Sequence, residues 1–231
     1  MILRASTFAL LLIMGGASAG TAWAQVPPSS TEVDAYTGLL AAAAGGDVAA
    51  LRTGLDNGAN PDVRDSYRRT PLHVAAYVGQ HEIMRLLVAA GANPNALEND
   101  RYDIVTIAAV ANDVPTLEVA LALGTKSTNV TSRYDGTALI AAAHLGHVEV
   151  VRILVDAGAP LDHVNNLGWT ALIESIVLGD GDARHTETLK ILVDAGANVD
   201  LPDGNGHSPR ALAQARGFAE MVKILEAAGA R

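Results

Sequence analysis

Thr70-Pro71-Leu72-His73-Val74-Ala75-Ala76, closed by Gly79 and followed by Leu86-Leu87-Val88-Ala89-Ala90-Gly91-Ala92-Asn93, decides the fold of this 231-residue chain. Thr70 can cap a helix by accepting a backbone N–H, and Pro71 sits at a first helical position, where a missing N–H costs nothing. Ile83, Leu86 and Leu87 recur at the spacing of an apolar helical face. Gly91 suits the left-handed conformation that ends a helix without a Cβ penalty.

The pattern repeats along the chain. A Gly-Ala pair after an apolar helix recurs at Gly58-Ala59, Gly91-Ala92, Gly124-Thr125, Gly158-Ala159, Gly196-Ala197 and Gly229-Ala230, at spacings of 33, 33, 34, 38 and 33 residues. The helix-start landmark keeps step with it, at Thr37-Gly38-Leu39-Leu40, Thr70, Asp103-Ile104-Val105-Thr106, Thr137-Ala138-Leu139-Ile140, Thr170-Ala171-Leu172-Ile173 and Ser208-Pro209-Arg210-Ala211. Two landmarks sharing one period of 20 to 50 residues mark a stacked-repeat architecture. The segment from Thr70 to Asn93 closely resembles an ankyrin repeat. That resemblance covers the chain beyond its first segment and implies an all-α solenoid of helix-turn-helix repeats with projecting β-hairpin loops.

The expected repeats are 34–66, 67–99, 100–133, 134–166, 167–204 and 205–231. Ala75-Ala76, Ala108-Ala109 and Ala142-Ala143 are small where helices of adjacent repeats approach, and Glu220, Lys223 and Glu226 give the last repeat a polar outer face. The third repeat departs from the pattern, with Asp103, Ile104 and Thr106 in place of Thr, Pro and His, Asn112 in place of the inter-helix Gly, and Lys126 after Gly124-Thr125. Asp103 can still cap a helix, and Pro115 falls in a first turn, where proline is tolerated. The fifth repeat has about five extra residues in Gly179-Asp180-Gly181-Asp182-Ala183-Arg184-His185, expected to bulge from one edge.

The first segment reads as an address. Met1 to Arg4 gives a positive start, Ala5 to Met14 an apolar run, and Ala22-Trp23-Ala24 a small-residue cleavage site before Gln25, with Ala17-Ser18-Ala19 (cleavage before Gly20) as the alternative. The run is shorter than the roughly 20 residues of a membrane helix. A signal peptide at 1–24 is therefore expected, a retained anchor being the other possibility, with 25–33 as a flexible spacer containing Pro27-Pro28-Ser29-Ser30. The formal charge of −9, which becomes −10 once Arg4 leaves with the leader, argues against nucleic acid, because phosphate neutralisation needs clustered Lys and Arg. The chain has no cysteine, so thiolate, disulfide and Cys–zinc chemistry are excluded.

No catalytic constellation stands out, and no cofactor or metal is expected. Gly16-Ala17-Ser18-Ala19-Gly20 matches a nucleophile elbow but lies in the leader and follows no strand. Asp180, Asp182 and His185 lack the further ligands of a calcium or zinc site. His144 and His147 flank a turn at Gly146, so they need not converge, and His73 is expected to satisfy loop backbone groups, as the family's histidine does. Asn129-Val130-Thr131 is a glycosylation sequon in a eukaryotic source.

The expected partner is another protein, bound by a monomer with no stable membrane insertion. Finger tips carry Tyr67, Arg68 and Arg69, Arg101 and Tyr102, Arg133 and Tyr134, then Trp169 and His207, and Tyr, Trp and Arg are the residues enriched at binding hot spots. Tyr77, Val110, His144 and Val177 form the exposed stripe of the first helices. The resemblance to small signal-bearing periplasmic ankyrin proteins implies a scaffold in an exported, periplasmic compartment, supporting an oxidative-stress enzyme such as a catalase. A secreted effector that binds host proteins is the alternative.

Overall fold

The computed structural model describes residues 25–231; the expected leader, with its match at 16–20, lies outside the described residues. After a short helix at Ser30–Ala35 (α1), six helix pairs follow in chain order: Gly38–Gly45 with Val48–Asp56 (α2, α3), Pro71–Tyr77 with His81–Ala89 (α4, α5), Ile104–Ala111 with Val114–Ala122 (α6, α7), Ala138–Leu145 with Val148–Asp156 (α8, α9), Ala171–Val177 with Ala183–Asp194 (α10, α11), and Pro209–Ala215 with Ala219–Ala227 (α12, α13). The first helices pack on one another from α2 to α12, and the second helices form a neighbouring layer from α3 to α13.

The period explains the layers. Ala75, Ala76, Ala108, Ala109, Ala142 and Ala143 are all buried between successive first helices, and only a methyl group at those positions lets backbones come close. Each second helix buries at least one leucine completely: Leu51, Leu87, Leu117, Leu154, Leu189 with Leu192, and Leu225. Each such burial contributes about 2 kcal/mol, and none could form within a lone repeat.

Helix starts are fixed as the sequence predicts. The Thr70, Asp103, Thr137, Thr170 and Ser208 side chains each accept the backbone N–H three residues on. Thr70 and His73 close a capping box, with the Thr70 N–H donating to His73 Nδ1 at 3.1 Å. Pro115 lies in the first turn of α7, and Asn112 takes the left-handed position that Gly46 and Gly146 hold between other pairs. The last pair turns Glu220, Lys223 and Glu226 outward, where Lys223 pairs with Glu220 and Arg210 with Glu226.

Three local expectations are corrected. The fingers contain no strand among the described residues: they are tight turns, with one isolated bridge between Thr131 and Gly136. Part of the 25–33 spacer is helical, because Ser29 and Glu32 form a complete capping box for α1. The insertion in the fifth repeat folds inward instead of bulging. It lengthens α11 to 12 residues, buries His185 and lays Gly181 on Phe218 so closely that a Cβ there would stand 2.4 Å from the ring. Arg216 closes the packing by donating to the Gly179 carbonyl at 2.8 Å while its guanidinium lies 5.0 Å from the Phe218 ring centre.

Candidate functional site

Every finger is built around one side-chain acceptor. Asp65, Glu98, Ser132, Asn165 and Asp203 each accept the backbone N–H groups two and four residues ahead. The third residue after each acceptor is left-handed: Arg68 (φ 63°), Arg101 (66°), Asp135 (51°), Gly168 (80°) and Gly206 (85°). Adjacent fingers are then joined through backbone, from Asn99 N–H to Tyr67 O, Ser132 N–H to Arg101 O and Asn166 N–H to Tyr134 O. This five-membered acceptor series was the signal missed in the sequence; it repeats at 33, 34, 33 and 38 residues, with the same period as the helices.

That geometry sorts the expected binding residues. Arg68 and Arg101 occupy left-handed tips and are exposed, and Arg133 is exposed two positions earlier in its turn. Tyr67, Tyr134 and Trp169 are half-buried. Arg69 and Tyr102 are not on the surface: they follow the left-handed residue directly, where the turn points back into the molecule, and are 0% and 5% exposed. The row of tips expected from the sequence therefore mixes two registers. Arg69 donates from Nε to Asp65 Oδ2 at 2.6 Å, and its terminal nitrogens reach Glu32 and the Val26 carbonyl. Its guanidinium stands 5.1 Å over the Tyr67 ring.

The exposed tips are already linked laterally. Arg101 pairs with Asp135 at 2.6 Å, while Asp100 takes both Arg133 at 2.5 Å and the Tyr67 hydroxyl at 2.6 Å. Behind them, Tyr77, Val110, His144 and Val177 fall at matching ends of α4, α6, α8 and α10, all half-buried. The Tyr77 hydroxyl and Glu98 Oε2 are buried without a hydrogen-bond partner. Burial raises the pKa of both groups, and each is further raised by a neighbouring carboxylate: Glu98 for Tyr77, Asp100 for Glu98.

The histidines serve the frame. His73 Nε2 lies 3.0 Å from the Ala96 carbonyl and 3.2 Å from that of Tyr102, tying the second finger to α4. Burial lowers its pKa to about 4 despite these two bonds. His147 Nδ1 meets the Ala109 carbonyl at 2.9 Å, whereas His144 turns to Glu174, so the two do not converge. Asp180, Asp182 and His185 place ligand atoms within 4.8 Å of one another. Their arrangement is that of a helix cap: Asp182 accepts the His185 N–H, and His185 is anchored through Nε2 to the His144 carbonyl. Backbone bonding from His185, set against burial, draws the Asp182 carboxyl below the usual carboxylate range. Asn129 donates its amide to both Asn95 and Asp103 at 2.8 Å, so the nitrogen a glycan would need is engaged inside the structure.

Stacked helix pairs with side-chain-clamped fingers define a helical-repeat binding module. The chain belongs to the ankyrin-repeat family: the family model described as ankyrin repeats (3 copies) matches residues 6–98 and again 105–203. It is 31% identical over 192 residues to the ankyrin repeat protein YahD of Escherichia coli (strain K12), an alignment spanning 83% of this chain and 95% of that one. Among solved structures, an ankyrin repeat domain from Acinetobacter baumannii AYE superposes with a TM-score of 0.79 at 39% identity, over 84% of this chain and 98% of that one. The ankyrin repeat domain of Bcl-3, a member of the IkappaB protein family, gives 0.76 at 29% identity over 85% and 87%. The chain spans 38% of the full-length B-cell lymphoma 3 protein homolog of Mus musculus. Ankyrin repeats mediate protein–protein interactions, and no helix among the described residues is long and apolar enough to cross a membrane.

Proposed function

We propose that this chain is a non-catalytic protein-binding scaffold working in an exported compartment, the periplasm in the first instance. One observation carries the binding role: Arg68 and Arg101 sit at left-handed positions that Gly168 and Gly206 fill in other fingers. A non-glycine residue there costs on the order of 1 kcal/mol, and its side chain reaches out from the tip. Such strain at an exposed tip fits recognition better than architecture. The buried histidines His73 and His185 and the half-buried His147 are each committed to a backbone carbonyl, which supports a role without acid–base chemistry. The export signature at 1–24 and the absence of cysteine are compatible with support of an oxidative-stress enzyme such as a catalase.

The test is one preparation from the native host. The full chain with a C-terminal tag is expressed, the cell fractionated, the N-terminus sequenced and co-purifying proteins identified. A start at Gln25 with a stoichiometric envelope partner is the expected result. Retention of Met1 in membranes would make the chain a tethered module, and recovery from the medium would make it a secreted effector.

A further inference from the structure

Residues 25–36 cross the stack with Tyr36 as the side chain packed against its core. Helix α1 contributes no buried residue, and Val26 is 39% exposed, yet the Arg69 side chain that the arm contacts is wholly buried. Polar contacts hold the arm in place. The Tyr36 hydroxyl donates to Asp65 Oδ2 at 2.6 Å, Arg69 donates to the Val26 carbonyl at 3.0 Å and to Glu32 Oε1, and the Gln25 side-chain amide donates to the Ile107 carbonyl of α6. The arm thus runs from the first finger to the inner helix of the third repeat. Pro27-Pro28 favours an extended backbone with no N–H to satisfy, so little conformational entropy is lost when the segment docks.

Arg69 is the group that holds the arm. Its Nε is fixed by Asp65 of its own finger, while both terminal nitrogens face the arm. A guanidinium with one edge anchored and the other offered outward suits a main-chain carbonyl together with a carboxylate. With both present beside Asp65, all three nitrogens of the buried guanidinium are paired.

We propose that the surface between the first finger and α6 is a binding site for an acidic peptide segment of a partner that is extended and then turns into a capped helix, occupied in cis by residues 25–32. The matching segment offers a main-chain carbonyl and, six residues further along, a carboxylate, as Val26 and Glu32 do. This rests on the scaffold role proposed above, and it makes the arm a competitor that the partner displaces.

The experiment uses the full chain and a fluorescent peptide with the sequence of residues 25–36. Glu32→Ala in the chain should tighten peptide binding by about tenfold, because affinity scales with the fraction of open sites. The Glu32→Gln peptide should bind that chain about tenfold more weakly than the parent peptide, a comparison that leaves the protein unaltered. Excess peptide should also speed hydrogen exchange at the backbone amides of residues 29–36 in the wild-type chain. Equal binding by wild-type and Glu32→Ala chains, equal binding of the two peptides, or dimerisation of the Glu32→Ala chain without peptide uptake would each overturn the proposal. If the peptide fails while Arg68→Glu still slows association with a co-purified partner, the peptide-site proposal falls and the scaffold role stands. If no partner associates with any form, both fall.

Discussion

Asn165 donates from its amide nitrogen to the Glu174 carboxylate across 2.8 Å, and both side chains are buried. The contact orients the Asn165 amide, leaving its oxygen to clamp the Leu167 and Trp169 N–H groups of the fourth finger. Glu174→Ala would strand a buried donor, at a cost of about 2 kcal/mol. Glu174→Gln keeps an acceptor and should cost less than half as much. Urea unfolding of the two variants checks the order.

Acid should weaken the stack through His73. Its pKa is about 4 when folded, against an ordinary value of 6.5, because burial opposes the charged form. The unfolded chain therefore binds the extra proton first, and stability falls as pH drops from 6.5 towards 4, by up to ~3 kcal/mol from this residue. Burial also lowers the pKa of His147, in the same direction. His73→Gln should be less stable at pH 8 yet show a shallower loss between pH 6.5 and 4, read from unfolding free energies across that window.

Two glycines at equivalent tips should respond differently to a methyl group. Gly206 has φ +85° and nothing near its missing Cβ, so Gly206→Ala should cost only the left-handed penalty of about 1 kcal/mol. At Gly168, φ is +80° and a Cβ would stand 2.8 Å from the Gly204 backbone. No rotamer relieves that contact, and Gly168→Ala should cost about 2–3 kcal/mol. Thermal unfolding of the pair separates strain from collision.

At Arg68, stability and binding should move apart. Arg68→Gly releases a left-handed side chain and should leave the stack as stable or slightly more so, by about 0.5 kcal/mol, once the added freedom of the unfolded chain is counted. Partner association should weaken. Arg68→Glu should slow the association rate and flatten its salt dependence, and Arg101→Glu and Arg133→Glu should do so less, since those arginines already face Asp135 and Asp100. Stopped-flow association at two ionic strengths measures the difference; identical rates for all three variants would remove the tips from the interface.

Helix positions were legible because their causes are local. Thr70, Asp103 and Pro115 act within one turn of their own helix, and the apolar period carries the rest. The direction of a side chain at a finger tip is set by a left-handed residue and an acceptor three positions before it, so counting from the helix landmark placed Arg69 and Tyr102 outside although they point in. The fate of residues 29–35 was readable in part: Ser29 and Glu32 stand at capping-box spacing, but Pro27-Pro28-Ser29-Ser30 has the composition of a linker. The inward fold of the 179–185 insertion depends on Phe218 and Arg216 from the next repeat, contacts that no local pattern encodes.

The three backbone bonds that string together the first four fingers have no counterpart between the fourth and fifth, among the described residues, where Gly168 and Gly204 merely touch. A stack joined this way is unequal under load. Along the finger edge, load crossing the Gly168–Gly204 junction is passed on not through finger backbone but through the Arg216–Gly179 bond and the Gly181–Phe218 contact, so the inserted segment is the tie that couples the final helix pair to the rest.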